Sequence, residues 1–243
     1  MSRPSRLNPA ALPVFAGQLH AWGANVTAIL PGSKRPGHKW QAWQSRPQTA
    51  AEVAGLPWAE AAALGILNGP GGWRAFDLDA ARGDGGQPAG PVSRDVLTAL
   101  LEALGLEPDY AWAYASGSGA GWGVVVRCLE KLPAGWGRDS GVYRGRPRPG
   151  LALAFGGLEL RWSRGQTIIM GAHPSGPGYR WLTGRPSDAP PPLLPAAAVA
   201  QAFDALAEPI APAEEAAPLP PLAVQAEDPP RSLRQAARAL QTT

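Results

Sequence analysis

The sequence predicts an α+β fold, on three observations. Segments in which apolar and polar residues alternate with period two, the pattern of half-buried strands, recur between glycine-rich turns. Segments with apolar residues at helical spacing lie between them. Hydrophobic residues make up 45% of the chain, charged residues make up 17%, and ten tryptophans are spread along it, which indicates a packed globular domain.

The first quarter of the chain predicts helix, strand, basic loop and helix, in that order. Residues 9–22 carry apolar side chains at helical spacing and lead into a short apolar strand at 25–31. Glycine, proline and two basic residues at 32–37 then predict a turn. Residues 49–64 predict the second helix.

Three β-hairpins are predicted in the middle of the chain, because pairs of strand-like segments flank short turns rich in glycine or serine. A clustering of hairpins with helices between them is typical of α+β domains. The three pairs of segments are 65–68 with 73–80, 110–115 with 122–128, and 157–162 with 166–170.

A third helix is predicted from its N-cap, Ser93, through Leu104, with Gly105 ending it. Residues 135–150 predict a loop, because glycine, arginine and proline dominate them. A turn at 173–178 and a short strand at 179–182 follow the last hairpin.

The C-terminal part of the chain changes in composition. One helix is predicted near residues 195–206, after which proline and alanine dominate. We therefore expect a catalytic domain at 1–208, a linker at 209–230, and the start of a helical region at 231–243. An amphipathic pattern that begins this close to the last residue suggests that the chain is a fragment of a longer protein.

Composition excludes several classes of protein. A single cysteine, Cys128, rules out an internal disulfide framework and a cysteine-rich zinc site. The sequence has no apolar stretch of the roughly 20 residues that span a bilayer, so we expect no membrane partner and a cytoplasmic location. A net charge of +3 and an isoelectric point of about 9.3 permit a nucleic-acid partner without requiring one.

Two acidic residues on one predicted strand are the first candidates for chemistry. Successive side chains of a strand face opposite sides, so Asp77 and Asp79 share one face, while Phe76 and Leu78 point into the core. Neighbouring carboxylates repel each other, and a bound divalent cation makes such a pair favourable. Alternatively, the two aspartates lie at a strand end and face water.

A second strand adds a third carboxylate. In residues 158–162 the same alternation directs Glu159 and Arg161 to one face and three apolar residues to the other. Three carboxylates carried on strands are enough to hold a pair of metal ions, and the arginine beside them suits a bound triphosphate. Arg161 could equally form an ion pair with one of the carboxylates.

The order of the motifs resembles the bifunctional DNA primase/polymerase domain of the archaeo-eukaryotic primase superfamily. The resemblance runs from about residue 17 to about residue 200. The segments that carry it are GANVTAILPGSKRP with Trp40 and Trp43, GILNGPGGWRAFDLD, SGSGAGWGVVVR, and LELRWSRGQTIIMGAHPSGPGYRWLTG.

The resemblance implies a fold and a metal site. The expected fold is a primase-like catalytic core, with mixed or antiparallel sheets in two halves, flanking helices, and the active site in the cleft between the halves. Asp77, Asp79 and Glu159 match the acidic residues that hold the catalytic metals, Mg²⁺ or Mn²⁺, in that family.

The resemblance also implies how the nucleotide is bound. The family's second motif ends a Ser/Gly-rich turn with a histidine that contacts the phosphates, and Trp122 stands at the matching position here. Backbone amides of residues 116–121 could cradle a phosphate, or these residues form a plain tight turn. His173 either contacts the nucleotide or makes structural hydrogen bonds in its turn. The expected nucleotide-binding residues are Lys34, Ser116, Ser118, Gly119, Trp122, Arg161 and His173.

Basic residues in two loops are the expected contacts to nucleic acid, although exposed arginines are also common where no ligand binds. They are Arg35, Arg138, Arg144, Arg146 and Arg148.

The resulting functional hypothesis is a primase-polymerase that joins nucleoside triphosphates on a single-stranded DNA template by two-metal nucleotidyl transfer. The resemblance adds a setting in the replication of a plasmid, phage or other mobile element, and a helicase or accessory domain C-terminal to residue 243. The alternative is a replication module that binds nucleic acid and nucleotide with weak or no turnover, because the second-motif histidine is replaced. A metal-dependent nuclease that uses the same acids is a third hypothesis.

Overall fold

A computed structural model describes residues 10–83, 86–134, 136, 141–151, 154–184 and 188–210. All of its elements belong to one compact unit, Met1–Ile210. The predicted linker and C-terminal region lie outside the described residues from 211 onward. Within the described part, none of the helices has the length and the apolar character needed to cross a bilayer.

The fold is mixed α/β, with few helices and a large antiparallel sheet. The four α-helices of the described residues are α1 (Ala11–Ala21), α2 (Ala50–Ala54), α3 (Arg94–Ala103) and α4 (Ala196–Leu206). The strands are β1 (Val26–Ile29), β2 (Ala63–Leu67), β3 (Trp73–Ala80), β4 (Ala113–Ala115), β5 (Trp122–Arg127), β6 (Val142–Pro147), β7 (Phe155–Arg161), β8 (Gln166–His173), β9 (Gly176–Trp181) and β10 (Ala207–Pro209).

The ten strands are hydrogen-bonded in the order β1-β2-β8-β9-β4-β5-β3-β7-β6-β10, and every named pair is antiparallel. The strand that carries the acid pair, β3, lies between β5 and β7. Its Phe76 and Leu78 are fully buried, as predicted from the alternation of side chains.

The helices α3 and α4 contact each other, and Arg94 at the start of α3 lies over the ring of Trp122 on β5. Four apolar residues of α3 at helical spacing are buried: Val96, Leu97, Leu100 and Leu101. Gly105 ends the helix with a positive φ of 68°, as expected for a helix C-terminus. Ser93 is the N-cap residue, but its side chain makes no capping hydrogen bond.

Two of the three predicted hairpins are wrong. β2 pairs with β1 and β8, while β3 pairs with β5 and β7, so the turn at 69–72 carries the chain to a different part of the sheet. β7 and β8 are likewise unpaired with each other, and the turn at 163–165 is a second crossover. Only the hairpin of β4 and β5 is confirmed.

The two crossovers pack against each other, which explains why they do not form hairpins. The backbone amide of Asn68 donates a hydrogen bond to the backbone carbonyl of Gly165 at 3.1 Å. A Cβ atom on Gly69 would lie 2.9 Å from the Ser163 carbonyl oxygen, so the absence of a side chain permits this approach. Contacts between distant turns are invisible to local sequence patterns.

Three other predicted elements differ from the structure. The helix predicted at 49–64 ends at Ala54, because Gly55 follows it and Pro57 cannot continue it, and its last predicted residues belong to β2. The loop predicted at 135–150 contains β6, which gains its backbone hydrogen bonds from β7. The expected domain end at 208 cuts through β10, which pairs with β6.

Candidate functional site

A cleft of about 630 Å³ opens on the face of the sheet that carries the acid pair. Its walls come from the loop after β1, the β4–β5 turn, and strands β3, β4, β7, β8 and β9. This volume lies in the range of about 300–1,000 Å³ that is usual for small-molecule sites. Five charged residues line it: Lys34, Arg35, Asp77, Asp79 and Arg161.

The three predicted carboxylates lie on adjacent strands. Asp77 and Asp79 share one face of β3, and the sheet register places Glu159 of β7 directly opposite Asp77. Cross-strand partners of this kind have Cβ atoms roughly 5 Å apart. The alternation predicted for both strands is therefore confirmed, and it brings the acids close together.

Arg161 links two of these carboxylates. Its Nε atom donates to Oδ2 of Asp77 at 2.8 Å, and its second guanidinium nitrogen lies 2.7 Å from Oε1 of Glu159. A third hydrogen bond joins it to the Gln166 carbonyl at 3.1 Å. Such a network holds the guanidinium in the cleft wall, with its charge partly neutralised. The ion-pair interpretation of Arg161 is therefore correct, and a triphosphate contact stays a prediction.

Glu159 differs from the two aspartates in its surroundings. It is 9% exposed and does not line the cleft, and its second oxygen accepts a hydrogen bond from Nε of Arg144 at 2.9 Å. Both of its carboxylate oxygens are thus bonded to guanidinium groups. Across the described residues, no three His, Cys, Asp or Glu side chains are grouped as metal ligands.

Asp79 is the acid most ready to receive a cation. It makes no hydrogen bond or ion pair with any described residue, and its side chain is accessible from the cleft. Desolvation in the cleft, together with the negative charges of Asp77 and Glu159, raises the pKa of its carboxyl to about 6. Hard divalent cations prefer carboxylate oxygens, so Asp77 and Asp79 are a donor set that fits Mg²⁺ or Mn²⁺.

The glycine-rich turn between β4 and β5 supplies one wall, through Ser116, Gly117 and Ser118. Gly119, predicted with them, does not line the cleft, and its amide donates to the Ser116 carbonyl at 2.8 Å. The Gly121 amide donates to Oγ of Ser116, and the Ala120 amide to Oγ of Ser118. The Ser116 amide donates to the Gly121 carbonyl at 2.9 Å, so four of the amides expected to cradle phosphate are used inside the turn, whereas the serine side chains line the cleft.

His173 and Lys34 lie in the same cleft. The His173 ring packs against Gly117, where a Cβ atom would come within 2.6 Å of it, and its Nδ1 accepts from the Ser175 amide at 3.2 Å. Desolvation and the charge of Lys34 lower the pKa of His173. The structural interpretation of this histidine is thus supported, and its place in the cleft keeps a nucleotide contact open as a prediction.

Trp122 lies on the wrong face of β5 for contact with the cleft. The register pairs it with Leu78, which faces the core, and its Nε1 donates to the Val92 carbonyl at 2.9 Å. On β5, the residue paired with Asp77 is Gly123, just as Glu159 is its partner on β7. The structure therefore corrects the prediction that Trp122 stands where a phosphate-contacting side chain would be, because a one-residue step in a strand reverses the face.

The phenol of Tyr114 fills the space above Gly123. A Cβ atom on Gly123 would lie 2.2 Å from Cζ of this ring and 2.4 Å from its hydroxyl oxygen. The hydroxyl is buried without a hydrogen-bond partner in the described part of the chain. Burial, followed by the charge of Asp77, raises the pKa of Tyr114, so the phenol stays protonated and can only meet an acceptor as a neutral donor. The sequence analysis missed Tyr114 because the position of its ring depends on the space left by Gly123, a glycine in another strand.

The predicted nucleic-acid contacts are divided between two places. Arg35 lines the cleft. Arg144 and Arg146 are exposed on β6, and Arg148 follows that strand and donates to the Asp204 carbonyl. Arg138 lies outside the described residues. The basic side chains of β6 form a group separate from the cleft lining, and Glu159 connects the two because it bonds both to Arg144 and to the lining residue Arg161.

Further lining residues were missed by the sequence analysis. The loop after β1 contributes His38, Trp40 and Gln41, and β9 contributes Tyr179. In the sequence His38, Trp40 and Gln41 follow the basic turn at 32–37, and Tyr179 begins the strand predicted at 179–182; only Trp40 was singled out by name. Their signal is weak because the loop joins the cleft through contacts with residues far away in sequence.

Comparison with families of known proteins matches residues 16–197 to the family described as bifunctional DNA primase/polymerase, N-terminal. Comparison with curated proteins finds no match. The matched residues include every strand from β1 to β9 and all of the cleft-lining residues. The match covers well over half of the chain, and the chain belongs to the bifunctional DNA primase/polymerase family.

Proposed function

We propose that this chain joins nucleotides on a single-stranded DNA template by metal-dependent nucleotidyl transfer. The observation that carries the proposal is the pairing of Asp77 and Asp79 on the floor of a cleft that also contains Lys34 and Arg161. A metal-bound triphosphate requires acidic side chains that bind the cations and basic side chains beside them that bind the phosphates. Membership of the primase/polymerase family supports the same reaction class.

Asp77 and Asp79 would hold the divalent ions, with Glu159 beside them on β7. Such ions, when bound, stabilise the attacking and the leaving oxygen of an in-line displacement. The new bond joins a 3′-hydroxyl oxygen to the α-phosphorus, and the bond from that phosphorus to pyrophosphate breaks.

The remaining charged residues have supporting roles in this proposal. Lys34 and Arg35 would bind the triphosphate oxygens from the loop after β1. Arg161 would keep Asp77 oriented, because their 2.8 Å hydrogen bond fixes one carboxylate oxygen and leaves the other for the metal. The hydroxyl groups of Ser116 and Ser118, in the β4–β5 turn, would donate hydrogen bonds to the phosphate oxygens.

The direct test is an extension assay with a single-stranded template, nucleoside triphosphates and Mg²⁺ or Mn²⁺. We expect metal-dependent product from the wild type, and a loss of at least about 100-fold with Asp77→Ala plus Asp79→Ala, because the charge of the reacting phosphate is no longer stabilised. Asp95→Ala is the matched control, since Asp95 is an exposed aspartate in the first turn of α3, outside the cleft. A wild type without metal-dependent product contradicts the proposal.

A second candidate function is binding of nucleotide and template with weak or no turnover. Two observations favour it: both oxygens of Glu159 are bonded to arginines, and the position opposite Asp77 is a glycine. The same assay separates the two, provided that binding is measured in parallel. Metal-dependent binding of nucleotide without product supports the binding module.

A further inference from the structure

Three residues stand side by side on three neighbouring strands. The sheet register pairs Asp77 of β3 with Glu159 of β7, and it pairs Glu159 with Arg144 of β6. Residues paired in this way lie on the same face of a sheet. Arg144 therefore belongs to the face that carries the acid pair, on the side of Glu159 away from Asp77. No step of the proposed reaction uses this arginine.

The bond between Arg144 and Glu159 joins an exposed side chain to a buried one. Nε of Arg144 lies 2.9 Å from Oε2 of Glu159, and the two side chains are 67% and 11% exposed, respectively. A ligand in solution can therefore reach the arginine far more easily than the carboxylate. A phosphate group accepts two parallel hydrogen bonds from a guanidinium group, whereas Glu159 accepts one from Arg144. A phosphate is thus a strong competitor of Glu159 for this arginine.

The second oxygen of Glu159 ties this pair to the acids of β3. Oε1 of Glu159 lies 2.7 Å from the guanidinium group of Arg161, which also donates to Asp77 at 2.8 Å. While both ion pairs of Glu159 persist, neither of its oxygens is available to a metal ion. The charge of Glu159 nevertheless reaches Asp79, because desolvation, followed by the charges of Asp77 and Glu159, raises the pKa of that carboxyl to about 6.

The charge balance of this group limits its affinity for a divalent cation. Asp77, Asp79 and Glu159 carry three negative charges, and the guanidinium groups bonded to them, Arg144 and Arg161, carry two positive charges. One negative charge is left over, which is less than a divalent cation neutralises. When a phosphate takes Arg144, two negative charges are left, which match one Mg²⁺ or Mn²⁺ ion. Metal affinity should then rise.

We propose that Arg144 is a positioning residue that couples binding of single-stranded DNA to binding of metal at Asp77 and Asp79. Without DNA, Arg144 holds Glu159 and keeps the metal affinity low. A backbone phosphate of the DNA binds the guanidinium group of Arg144, and the released Glu159 carboxylate adds its charge to the metal site. The inference rests on the proposed function, since it concerns the same site. By thermodynamic linkage, the metal tightens DNA binding by the same factor.

The first measurement is calorimetric titration of the DNA-free protein with Mn²⁺. Arg144→Ala should bind Mn²⁺ about 5-fold or more tightly than the wild type, the lower end of the usual coupling between linked sites. Arg144→Gln removes only the charge and should behave in the same way, whereas Arg144→Lys keeps the charge and should bind Mn²⁺ like the wild type. Arg146→Ala is the matched comparison, because Arg146 is exposed on the same strand and stands outside the ion pairs of Glu159. Its Mn²⁺ affinity should equal that of the wild type.

The second measurement is the affinity for a fluorescent single-stranded oligothymidylate, without nucleotide, at increasing Mn²⁺. The wild type should bind the DNA about 5-fold or more tightly when Mn²⁺ is saturating, because the coupling is reciprocal. Arg144→Ala should show no such gain, and neither should Asp77→Ala plus Asp79→Ala. Arg146→Ala should bind the DNA more weakly but keep the gain. The oligonucleotide binds Mn²⁺ equally in every sample, so a difference between proteins reports the coupling.

The results that overturn the coupling differ from those that overturn the proposed function. The role of Arg144 is overturned if Arg144→Ala and Arg144→Gln bind Mn²⁺ no more tightly than the wild type, or if Mn²⁺ tightens DNA binding equally in the wild type and these variants. Metal-dependent extension by the wild type would still support the proposed function in that case. A wild type that binds no Mn²⁺, with or without DNA, overturns both. Thermal unfolding verifies that each variant is folded at the temperature of the titration.

Discussion

At the scale of single residues, the three acids carried by β3 and β7 are not equivalent. Asp77 and Glu159 share one arginine, and Glu159 has a second one in Arg144. Asp79 has no partner within the described residues, so its negative charge is the least compensated of the three. An uncompensated carboxylate lowers the stability of the metal-free protein, and a cation that binds to it raises that stability.

The first prediction concerns Asp79→Asn in the metal-free protein. The folded-state pKa of about 6 lies above the usual value of 3.8, so the folded protein keeps this proton while the unfolded chain loses it, and stability falls as the pH rises from about 4 to 6. The full linkage for about two pKa units is about 3 kcal/mol. Because the side chain is accessible, solvent screening reduces it to about 1 kcal/mol or less. The variant should therefore unfold at a higher temperature than the wild type at pH 7.

At pH 4 the difference between the variant and the wild type should be much smaller, because the Asp79 carboxyl is then neutral in the folded wild type and only about half ionised in its unfolded chain. Adding Mg²⁺ or Mn²⁺ at pH 7 should raise the unfolding temperature of the wild type more than that of Asp79→Asn. A variant that is less stable than the wild type at pH 7 without metal would show that the Asp79 carboxylate is already compensated.

At the scale of secondary-structure elements, the sheet ends at one edge in the short strand β10, which pairs with β6. β10 has three residues, and its register with β6 pairs Ala207 with Pro147 and Pro209 with Gly145. The Ile210 amide donates to the Arg144 carbonyl at 2.8 Å, and Ala207 is fully buried. This short strand covers the edge of β6, on which the basic side chains lie.

The second prediction compares two shortened chains. A chain ending at Ile210 keeps β10 and should unfold at the same temperature as the full chain. A chain ending at Leu206 loses the strand and its hydrogen bonds to β6, and should be less stable by about 2 kcal/mol, a typical sum for a few hydrogen bonds. For a domain of this size that lowers the midpoint of thermal unfolding by about 4–8 °C. Equal stability of the two shortened chains would mean that β10 adds nothing to the sheet.

At the scale of the whole molecule, two regions of the described chain carry neighbouring basic residues: the cleft wall with Lys34 and Arg35, and the strand β6 with Arg144 and Arg146. The net charge of the chain is only +3, so these local concentrations matter more than the total. A single-stranded template that reaches the cleft along β6 would neutralise the second region. A phosphate of that template would then compete with Glu159 for the guanidinium group of Arg144.

The third prediction is that Arg146→Ala reduces the salt dependence of binding to single-stranded DNA. The slope of log affinity against log salt should become shallower by about 0.7, the value for one lost phosphate contact on a single strand. Arg146 is exposed on β6, so the substitution should leave the unfolding temperature unchanged. Lys131→Ala removes the same charge from an exposed position outside β6 and the cleft, and its slope should equal that of the wild type. Identical slopes for all three proteins would remove β6 from the DNA-binding surface.

Much of the fold and of the site follows from local sequence patterns. The shared face of Asp77 and Asp79, the burial of Phe76 and Leu78, and the common face of Glu159 and Arg161 were all predicted correctly. Each depends only on the period-two alternation of a strand, which a few neighbouring residues determine. The helices α1, α3 and α4 were found for the same reason, since helical spacing is also local.

The pairing of the strands was decided by the tertiary structure. Nothing local distinguishes a hairpin turn from the crossovers at 69–72 and 163–165, because what separates them is the contact that each makes with the other. β6 was missed since a segment rich in glycine and arginine becomes a strand only where β7 offers it hydrogen bonds.

The three acidic residues of β3 and β7 show the same division between local pattern and tertiary structure. By itself the sequence determined that Asp77, Asp79 and Glu159 lie on strands with their carboxylates on one face of each. Only the tertiary structure decided that Glu159 is held by Arg144 and Arg161 while Asp79 has no partner among the described residues, and that Gly123 rather than Trp122 stands opposite Asp77 on β5. The physical reason is that facing depends on backbone geometry along one strand, whereas partners depend on register between strands that are far apart in the chain.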